Sequence, residues 1–171
     1  MKAELLTLRV IHILGGIFWV GSMLYTTFFL APAIRSSPAV AGEVMAGLQK
    51  RRLFTILPII ALLTIASGIR LLWIASAGFD DSYLSTSTGR AFSRGAIAAI
   101  LAFLLSVLVS RPGFVRIGTL SASLAAATDE ATRQRLTVEM QRIGKRVATA
   151  NVMVAVLLIS TAVLMATARY L

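Results

Sequence analysis

Long apolar runs without a charged side chain are the feature that most constrains this chain. A bilayer core needs about 20 residues of helix, and only helices and closed barrels satisfy their backbone hydrogen bonds there. The alternating pattern of barrel strands is absent. The sequence therefore predicts an all-α polytopic membrane protein, an antiparallel bundle of four transmembrane helices. The apolar runs cover residues 10–34, 53–69, 95–110 and 147–168, and the predicted helices cover about 8–34, 53–77, 91–111 and 145–169.

The composition favours the same class of protein. Hydrophobic residues make up 57% of the 171 and charged residues 14%, with a mean hydropathy of +0.84, whereas soluble domains are about half apolar and a quarter charged. The chain has no cysteine, which excludes disulfides, thiolate metal sites and haem attached through CxxC. The first apolar run exceeds the roughly 7–15 residues of a signal-peptide core. We expect it to remain as the first helix of a single domain, residues 1–171.

The formal charge of +10 predicts topology once the basic residues are assigned to the ends of the helices. The rule that cytoplasmic loops are positively charged places the connections 35–52 and 111–146 in the cytoplasm and both termini outside. We therefore expect a bacterial inner-membrane protein that contacts lipid and binds no nucleic acid. Six basic residues fall at the outer side, namely Lys2, Arg9, Arg70, Arg90, Arg94 and Arg169, and eleven fall at the inner side, namely Arg35, Lys50, Arg51, Arg52, Arg111, Arg116, Arg133, Arg135, Arg142, Lys145 and Arg146.

The third connection predicts a helix that begins in the cytoplasm. Thr128 can cap it, and Asp129 and Glu130 follow in the first turn, where the helix dipole favours acidic side chains. One apolar stripe then recurs at helical spacing, so the fourth helix should extend from about 129 into the membrane without a break. The stripe is expected to pack within the chain, with the end of the second helix or a second protomer as alternatives. Its members are Leu136, Met140, Ile143 and Val147.

The only histidine, His12, lies inside the first apolar run. Polar side chains at membrane depth mark function or a structural polar contact. Helical spacing places Gly16, Trp19 and Met23 on the same face as His12. Small residues on this helix allow either a second helix or a flat macrocycle to come close to the backbone, and the pattern does not choose between the two.

Three arginines accompany His12 towards the predicted outer side: Arg9, Arg70 and Arg94. Imidazole is a haem-iron ligand, and guanidinium groups pair with carboxylates such as haem propionates. The alternative for Arg9 and Arg94 is that they reach the lipid headgroups. Arg70 lies deeper and needs a partner, and the nearby acids by sequence are Asp80 and Asp81.

Other polar and sulfur-containing residues predict less specific roles. Asn151, one turn inside the fourth helix, is expected to hydrogen-bond across helices. Met23 and Met153 are soft side chains that copper can bind, although methionines in membrane helices usually only pack. The sequence contains no HExxH motif, no P-loop and no nucleophile–base pattern. Hydrolysis is therefore not indicated, and whether the protein is an enzyme stays open.

Two stretches resemble known membrane proteins. The stretches HILGGIFWVGSML, residues 12–24, and LQKRRLFTILPIIALLTIASGI, residues 48–69, are similar to the four-helix CopD/DUF2269-like proteins and to the HemJ family. HemJ proteins are associated with haem b and protoporphyrinogen oxidation, and the resemblance matches His12 to the histidine that they use towards haem. Arg94 stands where that family has a functional lysine. Arginine stays protonated, so this substitution argues against the same oxidation chemistry here.

The leading hypothesis is a haem b-binding protein with a redox or haem-handling role. His12 would ligate the iron near the outer leaflet, Gly16 and Trp19 would line the site, and Arg9, Arg70 and Arg94 would pair with the propionates. The iron would be five-coordinate, or would take Met23 or the His12 of a second protomer as its sixth ligand. The alternatives are a CopD-like copper or metal transporter, and a non-catalytic accessory subunit of a larger membrane complex in which His12 is hydrogen-bonded between helices.

Overall fold

The computed structural model describes residues 2–36 and 38–171, and the described chain is helical, without strands. The helices in chain order are α1 (Lys2–Ser36), α2 (Pro38–Lys50), α3 (Leu53–Ala75), α4 (Asp81–Leu84), α5 (Ser87–Ala126) and α6 (Glu130–Tyr170). Four of these helices are long and apolar enough to cross a membrane: α1, α3, α5 and α6. The prediction of a helical protein with four spanning-length helices is therefore confirmed.

Helices α1 and α3 pack closely along one seam. Glu4, near the start of α1, pairs with Arg70 near the end of α3 at 2.7 Å. A Cβ at Gly15 of α1 would collide with the Thr64 hydroxyl of α3, so the missing side chain of Gly15 is what lets the two backbones approach. The Thr64 hydroxyl itself donates to the Ile60 carbonyl at 2.8 Å, which satisfies it within its own helix.

Helix α5 is longer at both ends than the predicted span 91–111. It begins at Ser87, because Thr86 accepts a hydrogen bond from the Gly89 backbone N–H and so caps the helix. It continues to Ala126 through a five-residue π-helical segment, Ser106–Ser110. A similar segment, Thr26–Leu30, interrupts α1. Beyond residue 111 the buried Leu120 anchors the added turns.

The N-cap of helix α6 lies one residue later than the sequence predicted. Asp129, not Thr128, is the N-cap, and its carboxylate accepts from the Thr132 backbone N–H at 2.8 Å. This bond holds the pKa of Asp129 below its ordinary value of 3.8. A capping side chain accepts from the N–H of the second or third helical residue. The backbone of Asp129 is extended, and its side chain reaches the N–H of Thr132, the third residue of α6.

The apolar stripe on the first half of α6 packs within the chain, and its partner is the extended end of α5. A Cβ at Gly113 of α5 would collide with Val147 of α6 and lie 3.7 Å from Ile143. Arg116 and Glu139 join the same two helices through an ion pair at 2.7 Å. The stripe thus packs within the chain, as expected. Its partner is the third long helix, which the sequence interpretation ended too early, and not the end of the second helix, which was one of the alternatives.

The core lies where the four long helices meet. One inter-helix hydrogen bond is buried there: the Ser110 hydroxyl donates to the Asn151 amide oxygen at 2.7 Å, which confirms the bond across helices predicted for Asn151. Several members of the core are alanines, and such small side chains let helices approach closely. The core cluster consists of Trp19, Met23, Ala61, Ala99, Ala102, Val154 and Leu158.

Candidate functional site

A cavity of about 320 Å³ opens between the four long helices beside His12. Ligand pockets typically have volumes of about 300–1,000 Å³, so this one lies at the small end of that range. Its wall is almost entirely apolar, and small residues contributed by all four helices make the space. The small lining residues are Gly16, Gly21, Gly68, Ala96, Ala99 and Ala162.

His12 is held in one orientation by the backbone of α3. Its Nδ1 lies 2.8 Å from the Thr64 carbonyl oxygen. A carbonyl oxygen only accepts, so Nδ1 carries a proton, and the tautomer that keeps this bond in a neutral ring has its lone pair on Nε2. Nε2 has no hydrogen-bond partner among residues 2–36 and 38–171. A backbone carbonyl on one ring nitrogen is the usual way in which proteins orient a histidine whose other nitrogen binds a metal.

The ring of His12 rests directly on Gly68 of α3. A Cβ at Gly68 would lie 2.7 Å from Cε1 and 3.0 Å from Nδ1 of His12, closer than carbon atoms normally approach. Gly68 follows Thr64 by one helical turn, so the carbonyl that orients the ring and the gap that admits it stand on the same face. The spacing of Thr64 and Gly68 was a signal in the sequence that the interpretation did not use.

The glycines of α1 have different surroundings. Gly15 meets Thr64 and serves close packing of α1 against α3. Gly16 and Gly21 line the cavity: a Cβ at Gly16 would make only an ordinary contact with Thr64 at 3.8 Å, and one at Gly21 would meet nothing within 4 Å. Trp19, only 3% exposed, lies between them in the wall of the cavity and in the core.

The three arginines are not gathered around His12. Arg70 donates from Nε and Nη2 to Oε1 of Glu4, at 3.1 and 2.7 Å. Its partner is therefore Glu4, whereas the sequence had suggested Asp80 or Asp81. Arg9 and Arg94 are exposed, and neither lines the cavity. Arg9 lies three positions before His12 and so shares its face of α1, whereas Arg94 lies two positions before Ala96 and so is on the opposite face of α5 from this lining residue.

The methionine beside this cavity is Met165 of α6, which the sequence interpretation did not single out. Met23 is buried in the core and is not among the lining residues. It follows His12 by eleven positions, about 16 Å along the helix axis, so the two side chains do not face one small site. Met153 is exposed on α6.

The donor set beside the cavity is small. Among the residues that the structure describes, no three His, Cys, Asp or Glu side chains lie together as ligands for a metal ion. Besides His12, the wall contains the hydroxyls of Thr64 and Thr161. Thr64 donates to a carbonyl of its own helix, and Thr161 donates to carbonyls of its own helix and of α5. Imidazole is therefore the one strong ligand that the described part of the chain offers here.

Comparisons of the chain with protein-family models, with curated proteins and with solved structures find no match. The fold and the cavity around His12 therefore carry the functional proposal.

Proposed function

We propose that the chain is inserted in a membrane as an antiparallel four-helix bundle and binds haem b, with His12 Nε2 as the protein ligand of the iron. The role is redox or haem handling. The distribution of basic residues favours an orientation with both termini outside and the connections 35–52 and 111–146 in the cytoplasm. The apolar lengths of α1, α3, α5 and α6 support insertion.

The observation that carries the proposal is the geometry of His12. The bond from Nδ1 to the Thr64 carbonyl favours the tautomer in which Nε2 is available to a metal. The neutral ring with one oriented nitrogen is the form that ligates iron. The adjoining cavity offers apolar space without a competing ligand from a charged side chain.

A single imidazole suits a metal that arrives with its own macrocycle. A bare copper or zinc ion needs several protein donors, and the described residues do not gather them. Haem brings four nitrogens to its iron and needs one axial side chain. The cavity therefore favours haem over the CopD-like transport of a metal ion. The resemblance of residues 12–24 to HemJ proteins points in the same direction.

The propionates would meet Arg9 at the rim of the bundle. Arg9 is exposed and lies about one helical turn from His12, on the same face, and guanidinium groups bind carboxylates at such interfaces. Arg94 lies two positions before the lining residue Ala96, on the opposite face of α5, and would reach a propionate only by extending around the helix. Arg70 pairs with Glu4 and does not line this cavity, so the proposal does not include it. Bound haem would supply one-electron redox chemistry or binding of a small axial ligand.

The test is an absorption spectrum of detergent-purified protein from haem-replete cells, oxidised and then reduced with dithionite. We expect a Soret band and a reduced α-band of the b type in the wild type. Both should be lost in His12→Gln and retained in Thr161→Val, a matched control that alters another polar side chain of the same cavity. A wild-type spectrum without a Soret band, or an unchanged spectrum in His12→Gln, contradicts the proposal.

The bond between His12 and Thr64 also favours a second candidate, a non-catalytic accessory subunit. In that case the imidazole only links α1 to α3, a contribution of about 0.6 kcal/mol in membrane proteins. His12→Gln keeps a side-chain N–H donor, so its stability should match that of the wild type while His12→Ala is less stable. Absence of haem, together with this stability pattern and co-purification with a larger complex, would support the accessory role.

A further inference from the structure

A second cavity, of about 340 Å³, lies where the beginning of α1 meets the end of α3. It differs from the cavity beside His12 because its wall contains a carboxylate and a guanidinium. It lies near the ends of two helices long enough to span a membrane, where lipid headgroups are expected. Its lining residues are Glu4, Leu5, Arg70, Trp73, Ile74, Ala77 and Gly78.

The two charged groups in this wall use only part of their bonding capacity. Nε and Nη2 of Arg70 both donate to Oε1 of Glu4. Nη1 of Arg70 and Oε2 of Glu4 have no partner among the residues that the structure describes. The two side chains are 49% and 42% exposed. One donor and one acceptor of opposite charge are thus available, side by side, to a ligand that carries both signs.

An aromatic side chain completes the wall. Trp73 is 45% exposed and packs edge-on against Phe79, with ring centroids 5.1 Å apart. Gly78 has φ +98, and a Cβ there would lie 3.7 Å from the Trp73 ring, so the chain turns tightly beneath the indole. Tryptophan at the end of a membrane helix lies at headgroup level, with its apolar face available to the glycerol and upper acyl region.

We propose that this cavity binds the headgroup of a phospholipid that carries a primary ammonium, of the phosphatidylethanolamine type. Arg70 Nη1 would donate to the phosphate, Glu4 Oε2 would accept from the ammonium, and Trp73 would cover the glycerol region. Phosphatidylcholine has the phosphate but no N–H for Glu4, and phosphatidylglycerol has the phosphate but no cation. The site therefore selects phosphatidylethanolamine over both. This proposal rests on membrane insertion and not on haem binding.

Trp73 gives a direct reporter for the test, since the chain has only two tryptophans and Trp19 is buried. The protein is placed in phosphatidylcholine nanodiscs that contain a fixed fraction of a brominated lipid of one headgroup type. Quenching in the wild type minus quenching in Trp73→Phe gives the contribution of Trp73. We expect a relative association constant for brominated phosphatidylethanolamine about three- to fivefold above those of the other two lipids, the effect of about one hydrogen bond to a charged group at an exposed site.

Matched variants separate the headgroup site from general charge. Glu4→Gln should bring the preference to about one, because Glu4 alone distinguishes the ammonium. Arg70→Gln should weaken association of all three lipids, because each carries the phosphate. Asp81→Asn and Lys2→Gln remove an exposed charge of the same sign outside the cavity wall and should leave the preference unchanged. Emission maxima of Trp73 and elution volumes check folding of each variant. Equal quenching of the wild type by the three lipids, a preference for phosphatidylglycerol, or a preference that survives Glu4→Gln would overturn the proposal.

Discussion

Replacing Gly68 by alanine tests the contact that positions His12. The new Cβ would lie 2.7 Å from Cε1 of the ring, whereas carbon atoms in contact are normally about 3.5–4.0 Å apart. The ring must therefore move by about 0.8 Å or more, or α1 and α3 must separate. Because Nδ1 lies only 2.8 Å from the Thr64 carbonyl, either movement weakens that hydrogen bond.

The change in the free energy of unfolding follows from two destabilising contributions and one stabilising contribution. Overpacking in a well-packed core costs about 1–3 kcal/mol, and loss of an inter-helix hydrogen bond in a membrane protein costs about 0.6 kcal/mol. Alanine in place of glycine favours the helix by up to about 1 kcal/mol. We expect Gly68→Ala to lower the free energy of unfolding by about 1–2 kcal/mol and to lower haem occupancy at limiting haem.

The assay is reversible unfolding in mixed micelles, followed by circular dichroism, with haem occupancy measured on the same samples. Gly118→Ala is the matched control, because a Cβ there meets nothing within 4 Å, and its stability should equal or exceed that of the wild type. If Gly68→Ala is as stable as Gly118→Ala and binds as much haem, the contact between Gly68 and His12 does not position the ring and the reasoning is refuted.

Three further predictions concern the rest of the bundle. Asn151→Leu should lower the free energy of unfolding by about 1 kcal/mol, because it leaves the buried Ser110 hydroxyl without its partner, and the loss should be smaller in a Ser110→Ala background. The pKa of Asp129 is lowered in the fold, so the stability that its cap contributes is fully present above the unfolded pKa of about 3.9. This contribution is lost as the pH falls through the lower folded pKa, and hydrogen exchange at the start of α6 should then increase. Asp129→Ala should remove that pH dependence. Glu139→Gln should change stability by less than about 1 kcal/mol, since its pair with Arg116 is exposed, and a larger, salt-independent loss in thermal unfolding would contradict this.

The sequence was sufficient to predict the four long helices, because charge-free apolar runs and the need to satisfy every backbone hydrogen bond in lipid leave little choice. It was insufficient for the helix ends. Residues 112–126 contain proline, glycine and serine, which locally disfavour a helix. They remain helical because Leu120 is buried and Gly113 packs against α6. The π-helical segments have no signal in the apolar pattern.

The candidate site, too, could be predicted from the sequence only in part. Helical spacing was enough to place Gly16 and Trp19 near His12, because all three belong to one helix. The contacts that orient His12 come from Thr64 and Gly68, more than fifty positions away, and a single sequence does not state which helices are neighbours. The pairing of Arg70 with Glu4, separated by 66 positions, was missed for this reason and because Glu4 precedes the apolar run.

The most direct measurement of the central claim is rescue of His12→Gly by free imidazole. The variant removes the ligand and leaves a space that imidazole can fill, so its absorption spectrum should lack the b-type bands after addition of haem and regain them with added imidazole. The wild type should show the bands without imidazole and change little when it is added. Bands of equal strength in His12→Gly before imidazole is added, or no bands in the wild type, would show that His12 does not hold haem in this protein.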